Sequence, residues 1–168
     1  MHNNITHNNI THNNIHIERG TTRRDWEDSM VLAWETFLLF EADDYTPEGI
    51  RNFNDFVTDP VLYQMYLDGD YVLFVAKDGD SVIGMITLRS FSHISLLFVD
   101  EKYHFMGIGS ALIERLCRYL RWEKHEIHVT VNAAPYGIGF YHKLGFVDTE
   151  EEISRDGIRI TPMERKLI

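Results

Sequence analysis

Residues 93–120 have the sequence HISLLFVDEKYHFMGIGSALIERLCRYL, in which a strand pattern, a glycine turn and a helix pattern follow one another. It opens with a strand-like apolar run, residues 93–99, and passes through a turn that contains Gly107 and Gly109. Apolar residues then recur every three or four positions, which predicts an amphipathic helix. Residues 126–131 are again strand-like. Because a strand, a helix and a strand in this order form a crossover, the two strands are predicted to be parallel neighbours.

The middle of the chain is predicted to be antiparallel sheet. Residues 71–77 and 81–88 are strand-like runs joined by Asp-Gly-Asp at 78–80, and Asp-Gly between such runs is a hairpin signal. Together with residues 93–99 they predict a meander. Arg-Asp-Gly at 155–157 similarly predicts a joint between two final strands.

Helical patterns precede and follow this sheet. A short strand over residues 15–18 is predicted to lead into a helix that ends near Asp43 and Asp44, and residues 49–56 predict a second helix. Residues 135–144 predict a short helix closed by glycine. The apolar face of the first helix is formed by Trp26, Met30, Ala33, Trp34, Phe37 and Phe40. The fold class is therefore α/β: a mixed sheet with an antiparallel meander, one parallel strand pair, and helices on both faces.

Length and composition favour one ordinary globular domain. The chain has 168 residues and a formal net charge of −10, with no cluster of Lys and Arg to hold a nucleic-acid backbone. No apolar run is long enough to span a membrane. Cys117 is the only cysteine, so no internal disulfide can form, and a cytoplasmic setting is expected. We therefore expect no nucleic acid and no membrane among its partners.

The N-terminus is a polar repeat. Residues 1–14 repeat a His-Asn-Asn-Ile unit whose period matches neither helix nor strand, which predicts a disordered tail before a domain at 15–168. Its histidines are open to two interpretations, weak metal binding or an incidental repeat, and we favour the second. His125 and His128 lie three apart on a predicted strand and point to opposite faces. No metal site is expected.

The glycine turn has the chemistry of an anion site. The start of a helix presents unpaired amide hydrogens and the positive end of the helix dipole. Gly107 and Gly109 allow close approach to the backbone, and Ser110 adds a hydroxyl donor. The alternative is that the glycines only ease the turn. Ala111 follows without the lysine of a P-loop, and Leu112 stands where a dinucleotide fingerprint needs a third glycine.

With its surroundings, this turn resembles the acyl-CoA-binding motif of the GNAT superfamily of N-acetyltransferases, Gln/Arg-x-x-Gly-x-Gly/Ala. His104 stands at the Gln/Arg position, where the family uses mainly the backbone amide, so binding is expected to survive with altered side-chain contacts. Residues 131–146 resemble the family's fifth strand and following helix, with the signature Phe-Tyr-x-Lys-Leu-Gly-Phe. The resemblance implies a GNAT-like acyl-CoA N-acyltransferase fold for residues 15–168 and acetyl-CoA as cosubstrate.

The resemblance also implies roles for individual residues. In GNAT enzymes the fourth and fifth strands splay apart, and the pantetheine arm lies in the gap. Asn132 matches an amide that contacts the pantetheine, and Tyr141 matches the tyrosine that faces the sulfur and acts as general acid. As a simple alternative, Tyr141 packs in the core. The implied cofactor-binding residues are Leu97, Phe98, Val99, His104, Phe105, Met106, Gly107, Ile108, Gly109, Ser110, Asn132 and Tyr141.

The base and the acceptor site are less well defined. His93 is a candidate base on the fourth strand, with a hydrogen-bonded edge histidine as the alternative. The loop after the first helix borders the acceptor pocket in this family, and acidic groups there attract an amine. A solvated helix end is the alternative for each carboxylate. The candidate substrate-binding residues are Glu41, Asp44, Tyr45 and Tyr136.

We therefore expect an N-acetyltransferase that moves acetyl from acetyl-CoA to a primary amine of a small molecule or peptide by direct attack in a ternary complex. A catalytically silent acyl-CoA-binding or regulatory domain is the alternative. A nucleotide-binding oxidoreductase is disfavoured by the missing third glycine. Many members of the family form dimers, so a homodimer is possible.

Overall fold

The computed structural model describes residues 14–168, which are organised around one mixed sheet. The strands are β1 Ile15–Arg19, β2 Val72–Asp78, β3 Ser81–Arg89, β4 His93–Val99, β5 His128–Ala133, β6 Val147–Asp148, β7 Ile153–Arg155 and β8 Ile158–Lys166. The α-helices are α1 Arg23–Phe40, α2 Pro47–Val57, α3 Pro60–Asp68, α4 Ile108–Glu123 and α5 Ile138–Lys143. The predicted tail at residues 1–14 lies outside the described residues, apart from Asn14. None of the helices among residues 14–168 is both long and apolar enough to cross a membrane.

The sheet has the predicted topology. Its strand order is β1-β2-β3-β4-β5-β8-β6, and β7 pairs with β8 beside this path. The β4–β5 pair is parallel, as the crossover through α4 predicted, and the other described pairs are antiparallel. The mixed α/β fold class is confirmed.

Two hydrophobic cores lie on opposite faces of the sheet. Alternation along β2 separates them: Leu73 and Val75 belong to the core under α1, α2 and α3, whereas Phe74 and Ala76 belong to the core under α4. Each of these four residues is fully buried. Helices on both faces, as predicted from sequence, therefore cover the sheet.

Several elements differ from the sequence prediction. Helix α3 was not predicted, although Asp59 caps it through a bond from the Val61 amide and Pro60 starts it. Helix α1 ends at Phe40, and a 3-10 turn, Ala42–Asp44, takes the chain to the predicted end. Strand β6 was missed because two residues carry no readable alternation.

The fifth strand also begins later than predicted. It runs over His128–Ala133, not 126–131, so Asn132 lies within the strand rather than at its end. The predicted helix at 135–144 is a 3-10 turn, Pro135–Gly137, followed by α5. The shift matters because it fixes Asn132 in register with β8.

The packing of α4 on the sheet generates a stability prediction. Leu116 is fully buried, whereas Arg118 on the same helix is exposed. Leu116→Ala should lower the free energy of unfolding by about 2–5 kcal/mol, because it leaves a cavity. Urea unfolding measures this loss, and Arg118→Ala is the matched control. Equal midpoints for the two variants would contradict the placement of α4.

Candidate functional site

The site is a cavity that opens where β4 and β5 separate. The two strands share only two register pairs, His93 with Thr130 and Ile94 with Val131. Beyond Ile94, β4 remains paired with β3, and β5 remains paired with β8. The edges that face each other are therefore free, and a cavity of about 660 Å³ lies between them. Its remaining walls come from the end of α1, the glycine turn and the start of α5.

The glycine turn forms one end of this cavity. Gly107 caps α4 in the left-handed conformation with φ 79°, and no side chain caps the helix. The amides of the first three helical residues, Ile108, Gly109 and Ser110, therefore have no partner within the helix. All three residues line the cavity. Unpaired amides at the positive end of a sixteen-residue helix attract negative charge.

Packing gives Gly109 a second reason to be glycine. A Cβ atom at this position would lie 3.1 Å from the Phe140 ring of α5, whereas a Cβ at Gly107 would meet nothing within 4 Å. From sequence, both glycines are expected to allow the approach of a phosphate. The structure separates them: the left-handed backbone favours glycine at position 107, and the close approach of the Phe140 ring favours glycine at position 109.

His104 ties the turn to the end of β4. Its Nε2 lies 2.7 Å from the Val99 carbonyl oxygen, so Nε2 carries the proton and donates it. The ring lies 4.9 Å from that of Phe40 on α1. These two contacts within the protein hold the turn in place, and the altered contacts that we expect between His104 and the cosubstrate remain a prediction.

Tyr103 provides a second tie. Its hydroxyl donates to Asp78 Oδ2 at 2.6 Å, which connects the turn to the β2–β3 hairpin. Tyr103 also lines the cavity. Together, His104 and Tyr103 fix the turn against two different strands.

Asn132 and Tyr141, which are predicted to contact the pantetheine and the sulfur of the cosubstrate, both line the cavity. The Tyr141 ring is buried between Phe140 and Phe146, with centroids 5.3 and 5.2 Å away. Among residues 14–168 its hydroxyl has no hydrogen-bond partner. Burial raises the pKa of this phenol, and the nearby Glu41 carboxylate raises it further. Tyr141 therefore keeps its proton at neutral pH and can donate it.

The predicted acceptor residues are brought together only in part. Glu41, Tyr45 and Tyr136 line the cavity, whereas Asp44 does not. Asp44 instead lies 3.9 Å from the guanidinium of Arg159, at the limit of an ion pair. Glu41 is the one carboxylate among the described lining residues, which include no Lys or Arg.

Desolvation changes the acid strength of Glu41. Burial raises the pKa of this carboxyl to about 7, and the neighbouring charge of Asp44 contributes to the shift. The same surroundings raise the pKa of the Tyr45 phenol. The cavity therefore contains one carboxyl group that changes charge near neutral pH.

His93 and Met106 are not brought to the cavity. His93 lies where β4 and β5 are still paired, and its Nδ1 lies 2.8 Å from Thr130 Oγ1. Burial lowers the pKa of His93, and Arg89 lowers it further. Met106 packs against the core under α4 instead of lining the cavity. The other predicted cofactor-binding residues line the cavity.

Aromatic residues of α1 and α2 complete the site and were not predicted. Phe40 stacks on Tyr136 with centroids 5.3 Å apart, and Phe53 lines the cavity beside it. Phe40 belongs to the apolar stripe of α1, so its sequence signal is that of a core residue. Only the ending of α1 beside the splay gives this residue a second role.

The described residues contain no group of three or more His, Cys, Asp or Glu side chains placed to hold a metal ion. The histidines of the N-terminal repeat lie outside the described residues. Every described residue that lines the cavity lies between Thr36 and Tyr141 in the chain.

Comparison with known proteins identifies the family. The model of the acetyltransferase (GNAT) domain matches residues 41–167, about three quarters of the chain. Glucosamine 6-phosphate N-acetyltransferase of Trypanosoma brucei brucei is 35% identical over 68 residues, which are 40% of this chain and 46% of that protein. The aligned segment thus spans a little under half the length of this curated relative.

Solved structures share the fold. The PaiA N-acetyltransferase of Thermoplasma acidophilum, solved with coenzyme A, superposes with a TM-score of 0.76 at 20% identity, over 90% of this chain and 98% of that one. A GCN5-related N-acetyltransferase structure from Rhodopseudomonas palustris gives 0.75 at 21% identity, over 90% and 94%. The family match covers the splay, the glycine turn and the helix that bears Tyr141. This chain belongs to the GNAT acetyltransferase family.

Proposed function

We propose that the protein transfers an acetyl group from acetyl-CoA to the primary amine of a small molecule or peptide, by direct attack in a ternary complex. One observation supports this most strongly: a single cavity joins the unpaired amides of α4 to Tyr141 and Glu41. The anion end suits a pyrophosphate, and the acidic, aromatic end suits an amine. The coenzyme A bound to the fold relative PaiA supports the same assignment.

The proposed cosubstrate position follows from the free strand edges. A pantetheine arm between β4 and β5 would pair with the backbone of Leu97, Phe98 and Val99, which has no strand partner on the β5 side. An extended chain that adds to a free edge satisfies backbone groups that would otherwise need water. Asn132, on the opposite strand, offers an amide to the same arm.

The reaction needs one group to receive the departing sulfur. The amine nitrogen attacks the thioester carbonyl carbon, a carbon–nitrogen bond forms, and the carbon–sulfur bond breaks. Tyr141 holds its proton and has a free hydroxyl in the cavity, so it serves as the general acid toward the thiolate. No enzyme nucleophile is required, since both substrates lie in the cavity at once.

A panel of amines tests the proposed function. Thiol release from acetyl-CoA should rise above the rate in buffer with at least one polyamine, amino acid, aminoglycoside or peptide. The mass of that amine should increase by one acetyl group. If acetyl-CoA binds but no amine accelerates thiol release, the chain is a silent acyl-CoA-binding domain and the proposal is wrong.

Gly107→Val should weaken coenzyme A binding roughly 5- to 30-fold. The left-handed conformation costs a side-chain-bearing residue about 1–2 kcal/mol, so the free turn relaxes out of it and binding must restore it. Titration calorimetry measures this change. Gly69→Val is the matched control, since Gly69 has φ 83° and open surroundings but lies at the end of α3. His104→Gln should change coenzyme A affinity only slightly. Loss of affinity in the control alone would contradict the assignment.

Tyr141→Phe should lower kcat about 100-fold or more while coenzyme A affinity is unchanged, because a general acid contributes roughly 100- to 10,000-fold. Thiol release under saturating amine gives kcat. Tyr119→Phe is the matched control: Tyr119 is equally buried, but it packs on Phe74 away from the cavity. An unchanged kcat in Tyr141→Phe would remove the acid role.

A further inference from the structure

The carboxylate of Glu41 is unusual among the acids of the described chain. It has no hydrogen-bond or ion-pair partner within residues 14–168. By contrast Asp25, the one acid among the described residues that is almost fully buried, is fully partnered: Lys77 Nζ lies 2.9 Å away, and the Thr21 and Thr22 amides donate to it. An unpaired acid in such surroundings costs stability, and a functional role accounts for that cost.

The carboxylate nevertheless reaches the cavity. Among the described residues, Ser29 Oγ is the one side-chain polar atom that is fully buried and has no hydrogen-bond partner. The Glu41 carboxylate also has no hydrogen-bond partner, but it is not fully buried, and Glu41 lines the cavity. Its carboxylate therefore keeps some exposed surface in a residue that lines the proposed acceptor cavity.

The backbone of Glu41 is firmly held. Its amide donates to the Phe37 carbonyl and closes α1, and the 3-10 turn begins at the next residue. Behind it, Phe37 packs on Tyr45 and Phe53, with ring centroids 4.8 and 4.1 Å away. A rigid support of this kind limits the positions that the Glu41 carboxylate can occupy.

We infer that Glu41 is the catalytic base, the group that removes a proton from the acceptor ammonium before attack. This inference rests on the proposed function, and it assigns to Glu41 the role that the sequence favoured for His93. His93 lies outside the cavity lining, whereas Glu41 is the only described carboxylate that lines it.

The proton transfers balance. Glu41 takes one proton from the ammonium, which leaves the neutral amine to attack the carbonyl carbon. Tyr141 gives its proton to the sulfur as the carbon–sulfur bond breaks. After attack, the nitrogen loses a second proton, which restores the Tyr141 hydroxyl. Glu41 then releases the proton that it took from the ammonium to solvent. The net products are an amide, a thiol and one proton.

Electrostatics support the assignment. A general base works best with a pKa near the working pH, and burial with the charge of Asp44 raises that of Glu41 to about 7. Asp44 in turn has Arg159 at 3.9 Å. Below pH 7 the carboxyl is neutral and accepts no proton, whereas above it the group is charged and competent. The other titratable groups that face the cavity are Tyr45, Tyr103, His104, Tyr136 and Tyr141.

The test is the pH dependence of kcat/KM, and of kcat at saturating amine, with the best acceptor amine of the panel, over pH 5.5–9.5. The wild-type protein should show a rising limb with its midpoint near pH 7, followed by a plateau. Glu41→Gln should lose roughly 100-fold or more at pH 7.5. Its residual kcat/KM should rise about tenfold per pH unit toward the pKa of the amine, because only free amine then reacts.

Asp43→Asn is the matched control. Asp43 is exposed, does not line the cavity, and loses the same charge two residues away. It should keep the wild-type limb and plateau. If Glu41 only attracted the ammonium, Glu41→Gln would raise KM and leave kcat at saturating amine unchanged, which would overturn the base assignment. If its role were only structural, Glu41→Gln would lower thermal stability and keep the pH dependence of the wild-type kcat, which would overturn it as well.

Two failures are distinguishable. If Glu41→Gln keeps a limb near pH 7 while transferring acetyl, the base assignment is wrong and the proposed function stands. If the wild-type protein acetylates no amine, the proposed function itself fails, and the base assignment fails with it.

Discussion

The whole site depends on one constraint of the sheet, namely that β4 and β5 are parallel neighbours for only two residue pairs. Each strand is held on its far side by an antiparallel partner, β3 or β8, so neither can bend back to close the gap. The crossover helix α4 then starts beside the open edge and directs its unpaired amides toward it. Separation of two strands thus produces an elongated cavity with free backbone edges, and unpaired helix amides that attract negative charge lie beside it.

Charge is distributed along this slot in a way that suits two different ligands. The turn before α4 contributes backbone donors, and side chains of the turn are used to anchor it: His104 on Val99 and Tyr103 on Asp78. Phe40 of α1 and Phe53 of α2 line the cavity together with Glu41. Desolvation raises the pKa of the Glu41 carboxyl to about 7, and it also raises the pKa of the Tyr141 phenol. One partly desolvated environment therefore accounts for both shifts on which the proposed acid and base roles depend.

Much of this could be predicted from sequence, because local patterns determine local structure. Strand alternation, the Asp78–Gly79 turn and the spacing along α4 predicted the meander, the hairpin and the crossover. Features that depend on register could not be predicted. The splay begins after Ile94, which leaves His93 at its closed end, and no periodicity indicates where two strands part. The pKa of Glu41 was equally hidden, since its surroundings come from segments far apart in the chain.

The most direct test of the proposed site is a crystal structure of the protein with coenzyme A. We expect the pyrophosphate within about 3 Å of the amide nitrogens of residues 108–110, and the pantetheine between β4 and β5 with its sulfur facing the Tyr141 hydroxyl. Coenzyme A bound elsewhere, or a closed β4–β5 edge with no ligand between the strands, would contradict the proposed site.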